Sequence, residues 1–279
     1  LSSVVDVKLR EGDRQHYVAT GGIGLISSRL TYEGPINKGK GSFIVSGRRT
    51  YFDIFTRAIN KRNEKKEDYS PIPDYYFYDF NAKANYTLGA KDQLFFTSYL
   101  GRDVFGFSSA GGFNFNFSWG NTIGTLRWNH VFSPKLFVNT SVSVSDYKYN
   151  LTNRLDQFTF GLGSHITDFT GRTDFEYTPD DRHILKVGAM LTQHQFGVGR
   201  LDANSGDGRI NFGSDINYYG IEGALYASDN YKATDKLQLE GGLRLSGFRS
   251  GSDQYAGLEP RASARYSLND RTSLKLNYA

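Results

Sequence analysis

The chain has 279 residues, a formal net charge of +4, no cysteine and a mean hydropathy of −0.50, with 31 glycines, 21 phenylalanines, 19 tyrosines and 2 tryptophans. No apolar run approaches the roughly 20 residues of a membrane-spanning helix, which excludes a helical membrane protein. The aromatic content and only six prolines argue against disorder, and the missing thiols exclude thiolate metal sites and thiol catalysis. The basic residues are spread along the chain, so they read as a solvated mixed-charge surface and predict no nucleic-acid partner.

In chain order, the sequence opens on Leu1 and closes on Asn277, Tyr278 and Ala279 inside a strand pattern, so the expectation is a piece of a longer protein. Short turn clusters fall at Pro35–Ser42 (PINKGKGS), Ala90–Gln93, Ser133–Lys135, Thr178–His183, Ala233–Lys236 and Leu268–Thr272. Each interval has room for two strands and one loop. Between them lie polar stretches, Thr56–Asp74 with its KRNEKKED run and Gly197–Asp215 with RLDANSGDG, which predict long loops at the opposite end. Short turns at one end and long loops at the other suit a transmembrane β-barrel.

Four segments alternate residue by residue, as a strand between lipid and a wet interior must. Tyr76, Tyr78, Phe80, Ala82, Ala84, Tyr86 and Leu88 oppose Phe77, Asp79, Asn81, Lys83, Asn85 and Thr87. Val138, Thr140, Val142 and Val144 oppose Asn139, Ser141, Ser143 and Ser145. Leu237, Leu239, Gly241, Leu243 and Leu245 oppose Gln238, Glu240, Gly242, Arg244 and Ser246; Leu258, Pro260, Ala262, Ala264, Tyr266 and Leu268 oppose Glu259, Arg261, Ser263, Arg265 and Ser267. A soluble β-sandwich also alternates, but these runs exceed its usual 5 or 6 residues and match the roughly 9 to 11 of a tilted transmembrane strand. Aromatics at strand ends (Tyr51, Phe52, Phe55; Tyr75 to Phe80; Trp128, Phe132; Tyr147, Tyr149; Tyr218, Tyr219) read as interfacial girdles. The fold class is therefore all-β, an antiparallel barrel portion of about 12 to 13 strands running from near His16–Leu25 to Ser273–Ala279.

LSSVVDVKLREG (Leu1–Gly12), GGIGLISSRLTYEGPI (Gly21–Ile36), SFIVSGRRTYFDIF (Ser42–Phe55) and LEPRASARYSLNDRTSLKLNYA (Leu258–Ala279) carry a resemblance. The first resembles the last plug strand of TonB-dependent outer-membrane receptors and the second their first barrel hairpin, while the third and fourth resemble the third strand and a mid-barrel hairpin of the subgroup that often carries an N-terminal carboxypeptidase-regulatory-like domain. The resemblance implies residues 1–12 as the end of a plug and 13–279 as the first half of a barrel of about 22 strands in a Gram-negative outer membrane. It also implies import of a scarce nutrient (iron chelate, oligosaccharide, peptide or vitamin), gated by an energised TonB-type inner-membrane partner that acts through a segment absent here. Outer-membrane lipid is the surrounding partner, and a surface lipoprotein lid is left open. A passive porin or structural barrel is the alternative reading, and a barrel enzyme a lesser one.

On the wet face, Arg48, Asp79, Lys83, Glu222, Glu240, Arg244, Glu259, Arg261 and Arg265 are expected to face plug or lumen, and Lys275 shares their parity. Arg48 and Arg49 are adjacent, so one must face outward, and Arg48 is assigned inward. Tyr75, Tyr76, Phe113, Phe115 and Trp119 are candidate ligand contacts through their ring faces. DANSGDG (Asp202–Gly208) departs from calcium-loop spacing, and no metal or cofactor is expected. The candidate histidine–aspartate pairs, His165 with Asp168 and His194 with Asp202, read as chance neighbours, so no catalytic residue is assigned.

Overall fold

A β-strand sends successive side chains to opposite faces, so the alternating segments fix both the element type and its orientation. The computed structural model describes residues 9–66, 69–109, 112–206 and 210–278. The strands are β1 (Val18–Ile23), β2 (Ser27–Ile36), β3 (Gly41–Thr50), β4 (Asp74–Thr87), β5 (Asp92–Ser108), β6 (Phe113–Ser133) and β7 (Leu136–Leu155). They continue as β8 (Phe158–Tyr177), β9 (His183–Ser205), β10 (Asn211–Lys232), β11 (Leu237–Ser250), β12 (Asp253–Asn269) and β13 (Thr272–Tyr278), with one helix, α1 (Phe52–Asn63). All thirteen strands form one sheet in sequence order, each antiparallel to the next, and β1 and β13 are its two edges. The sheet is an open wall.

Residues directly opposite across a ladder share a face, so register separates the two surfaces. One row reads Gly34, Phe43, Ala84, Phe96, Leu126, Val142, Gly171, Leu191, Gly223, Gly247, Ala256, without a polar side chain. The row one residue away reads Glu33, Ile44, Lys83, Thr97, Thr125, Ser143, Thr170, Thr192, Glu222, Phe248, Tyr255. The dry face carries Val142, Val144, Leu239, Leu243, Ala262 and Ala264, and the wet face carries Ser143, Glu240, Arg244, Arg261 and Arg265. Only Val138 and Ala224 are buried apolar residues among those described, while Val142 is 55% and Leu191 59% exposed. A soluble sandwich would cover such residues with a second sheet. Here no second sheet covers the dry face among the described residues.

The dry face is a belt with two margins. On β7 it runs through Leu136, Val138, Thr140, Val142 and Val144 and gives way to Asp146, Lys148 and Asn150. At the turn-side margin, outward Asp92 accepts from Trp128 Nε1 (2.9 Å) and meets His130 Nδ1 (2.7 Å). The same arrangement recurs where His183 meets Asp229 (2.8 Å) and stacks on Tyr231 at 4.6 Å. Beyond the opposite margin the strands continue: β6 to β10 are 20 to 23 residues long, about twice what crossing a bilayer needs.

Two expectations are corrected here. Gly197–Asp215 is largely strand rather than loop, because β9 and β10 extend as a paired ribbon up to Ser205 and from Asn211; Asp207 lies outside the described residues. Thr56–Asp74 begins as helix α1. Asp53 in its first turn and Lys61 and Arg62 in its last suit the helix dipole. Its buried positions are polar, Asp53 and Thr56, each 1% exposed, while Phe52, Phe55 and Ile59 point away at 43 to 50% exposure. Periodicity expects apolar residues to be buried, so this inverted helix is invisible to it. Thr56 Oγ1 and Arg57 Nε hold Asp74, and Asn60 bonds both backbone groups of Ile72 at 2.9 Å. The contact with Asp74 raises the Arg57 guanidinium above its ordinary value.

The girdle expectation is also narrowed. Tyr75, Phe77, Tyr147, Tyr149 and Tyr218 belong to the wet face, because neighbouring aromatics in one strand must alternate and these strands extend past the belt.

Candidate functional site

The wet face is where the chain's polar chemistry converges, beginning with the segment that precedes β1. Arg10 makes a two-pronged contact with the Glu33 carboxylate, 2.7 Å at each oxygen, and Asp13 N–H donates to the same group. Lys83 Nζ reaches Glu11 Oε1 and the Leu9 carbonyl at 2.6 Å each. Asn85, 2% exposed, donates to Glu11 and Ser42 and accepts from Arg14. Gly12 permits this close approach, since a Cβ there would meet the Phe43 carbonyl oxygen at 2.1 Å. The Asp13 carboxyl accepts from the backbone N–H groups of Gln15 and His16, which hold it below the usual carboxylate range. Leu1–Lys8 lie outside the described residues; Leu9–Gly12 are not in a strand.

Further along the face, five strands share a row of charges. Asp168 on β8 contacts His194 Nδ1 on β9 (2.8 Å), and His194 Nε2 faces Glu222 on β10 at 3.6 Å. Arg244 on β11 stands between Glu222 (3.7 Å) and Glu259 (3.9 Å) on β12, and Glu259 also takes Arg261 and the Ser246 hydroxyl. His194 is sandwiched by ring contacts with Phe196 and Phe248. Two carboxylates flank one imidazole, an arrangement that orients the ring.

Beyond the belt, the same face turns aromatic. Phe117 packs on Trp119 (4.9 Å) and Tyr149 (6.2 Å), Phe105 on Phe115 (6.2 Å), Phe107 on Phe113 (6.3 Å) and Tyr75 on Phe77 (6.3 Å). The Tyr75 hydroxyl donates to Asp103 Oδ1 at 2.8 Å. Burial and that bond raise the Tyr75 phenol above its ordinary value. A wall of ring faces with a few polar groups at its edge is suited to bind planar or ring-bearing molecules.

A family profile described as "TonB dependent receptor-like, beta-barrel" matches residues 28–279. The chain belongs to this TonB-dependent receptor family. Its members are outer-membrane transport receptors. Among solved structures, the receptor wall is similar to BauA, the ferric preacinetobactin receptor of Acinetobacter baumannii, at 12% identity and a TM-score of 0.68 over 94% of this chain and 47% of that one. It is also similar to Fiu, the ferric-catecholate import receptor of E. coli K12 (13%, TM-score 0.63, 96% and 55%). The copper transporter OprC gives 15% identity and a TM-score of 0.64, over 94% of this chain and 44% of that one. The chain thus spans about half the length of these structures. No curated protein sequence matches it.

Within this receptor wall, Arg48, Asp79, Lys83, Glu222, Glu240, Arg244, Glu259, Arg261 and Arg265 share one face through register, with Lys275 beside Arg265. Arg48 bonds Asp79 at 2.7 Å, while Arg49 takes the opposite face, pairs with Asp53 of α1 at 3.1 Å and lies over the Tyr76 ring. The five ligand candidates separate. Tyr75, Phe113, Phe115 and Trp119 stand on the wet face, whereas Tyr76 is on the opposite face. Sequence reasoning missed Phe105, Phe107 and Phe117, read Tyr149 as a girdle aromatic and set His194 beside Asp202 as a chance neighbour; the period-2 string Phe113, Phe115, Phe117, Trp119 carried the signal for Phe117.

Proposed function

We infer that the intact receptor imports a scarce nutrient from outside the cell through a plugged barrel of which this chain is part of the wall. In this reading residues 1–12 are the exit of the plug, the inward charge row is the surface against which the plug rests, and the aromatic wall contacts the ligand first. A TonB-type inner-membrane protein supplies the pull that displaces the plug. The observation that carries the reading is the pinning of Leu9–Arg14 to the wet face by Arg10–Glu33, Lys83–Glu11 and Arg14–Asn85, because a chain that leaves a plug must run along the inner wall before it enters the first strand. The relatives named as ferric-siderophore receptors make an iron chelate the first ligand class to try.

Uptake in cells producing the intact receptor tests it. Import should require the energised partner and vanish in cells lacking it. Reversing charge at Arg261 or Arg265 should loosen the plug and admit small solutes without the partner, while Phe117→Ala with Trp119→Ala should weaken ligand binding by about tenfold without leakage. Partner-independent uptake in the unmodified receptor, together with unchanged permeability in the charge-reversal variants, would leave passive diffusion as the account.

A further inference from the structure

The outward face carries charge that the import reading leaves unused. One row of directly opposite residues reads Arg49, Tyr78, Arg102, Gly120, Lys148, His165, with three permanent cations and no carboxylate. It stands just beyond the dry belt, two residues past Leu100 on β5 and four past Val144 on β7. Arg49 is committed to Asp53. Arg102 is not so engaged, with the Ser118 hydroxyl at 3.3 Å as its one hydrogen-bond partner among the described residues; Lys148 has Asp146 at 3.5 Å and keeps its side chain 57% exposed. The two sit on alternate strands, about 10 Å apart at the usual strand spacing. Between them stands Gly120, where a Cβ would meet the Gly101 carbonyl oxygen at 2.6 Å, and beside it lies a cavity of about 230 Å³ whose lining includes Tyr78, Arg102, Ser118, Asp146, Lys148 and Asn150.

From this geometry we propose a binding site for the phosphate of a membrane lipid headgroup, held between Arg102 and Lys148 on the outward face of the wall. Three considerations carry it. The site faces away from the interior, immediately beyond an apolar belt that must sit among acyl chains, so a headgroup occupies that level. Two cations flanking one gap match an anion with several acceptor oxygens. Ser118, Asn150 and Tyr78 add hydroxyl and amide donors around the gap. Asp146 is the one carboxylate lining the cavity. One of its oxygens takes the Thr167 hydroxyl at 2.8 Å and the other lies 3.5 Å from Lys148, so it steadies that lysine and leaves Arg102 uncompensated. Because short turns face the periplasm in such barrels, the site belongs to the outer leaflet.

The test uses the intact receptor in non-ionic detergent, with phosphatidic acid as probe and diacylglycerol of the same chains as its phosphate-free counterpart. Unmodified receptor is expected to bind phosphatidic acid and not diacylglycerol, with inorganic phosphate a poor competitor. Removing each cation should weaken binding about fivefold, so Arg102→Gln with Lys148→Gln loses about 25-fold, while Lys38→Gln in the β2–β3 turn changes nothing. Arg102→Lys with Lys148→Arg keeps both charges and should keep binding, which separates lost charge from a damaged fold. Equal affinity for the two lipids, equal binding by the glutamine pair, loss of binding in the charge-conserving pair, or competition by inorganic phosphate as strong as by the lipid would each overturn the proposal.

Discussion

Arg244 is the cation between Glu222 and Glu259, and its partners stand at 3.7 and 3.9 Å, so its stabilising effect comes from separating two carboxylates more than from close bonds. Replacing it with Leu should cost about 1 kcal/mol after allowance for solvent screening. Adding Glu222→Gln should recover part of that loss, read from urea midpoints of the intact receptor as a double-mutant cycle. A turn residue gives a pH dependence. Asp180 accepts from the backbone N–H groups of Arg182 and His183, and those bonds hold its carboxyl below the ordinary range. A depressed folded-state pKa contributes stability above the unfolded value of about 3.9 and loses it as pH falls through the lower folded value. Asp180→Ala should therefore flatten the fall in thermal midpoint below about pH 4. Residue-level legibility followed parity. His165 and Asp168 lie an odd number of positions apart in one strand and take opposite faces, which the sequence itself contained. The true pair, His194 with Asp168, spans two strands and required the register.

At the scale of elements, the two faces differ in what they tolerate. Val142→Arg places a charge in the middle of the dry belt and should cost about 2 to 4 kcal/mol, whereas Ser143→Arg next to it faces the wet side and should cost less than about 1. Equal costs, measured by urea unfolding of the intact receptor, would falsify the face assignment. Strand identity and direction were readable because the alternation is long and clean in β4, β7, β11 and β12. Helix α1 was not, since its buried side is Asp53, Thr56 and Asn60 meeting polar groups of the chain around Asp74, a match that exists only after folding. The ends of β9 and β10 were misread for a related reason. Their polar, glycine-containing sequence reads as loop by composition, and ribbon pairing overrides composition.

For the whole molecule, β1 and β13 each leave one edge of backbone groups without a ladder partner among the described residues. Unpaired edges within a membrane are costly. Prepared alone, the chain should show no heat-dependent change in gel mobility and fast amide exchange along β13, while the same residues in the intact receptor should be protected. Protection of β13 in the isolated chain would mean that its edges find each other.

The strands that overshoot the belt have a consequence for how such a receptor changes over time. From Asp146 to Leu155, β7 carries ten residues beyond the dry belt, about 33 Å of ribbon, and its odd positions continue the wet face with its aromatic wall while its even positions continue the opposite face. One stretch of chain therefore holds two messages, written at odd and even positions. Substitution at one set leaves the other unedited, and the ladder that holds both is made of backbone and indifferent to either. A lineage can exchange Tyr147 or Tyr149 on one face without disturbing Lys148 on the other, and can change Lys148 without disturbing them.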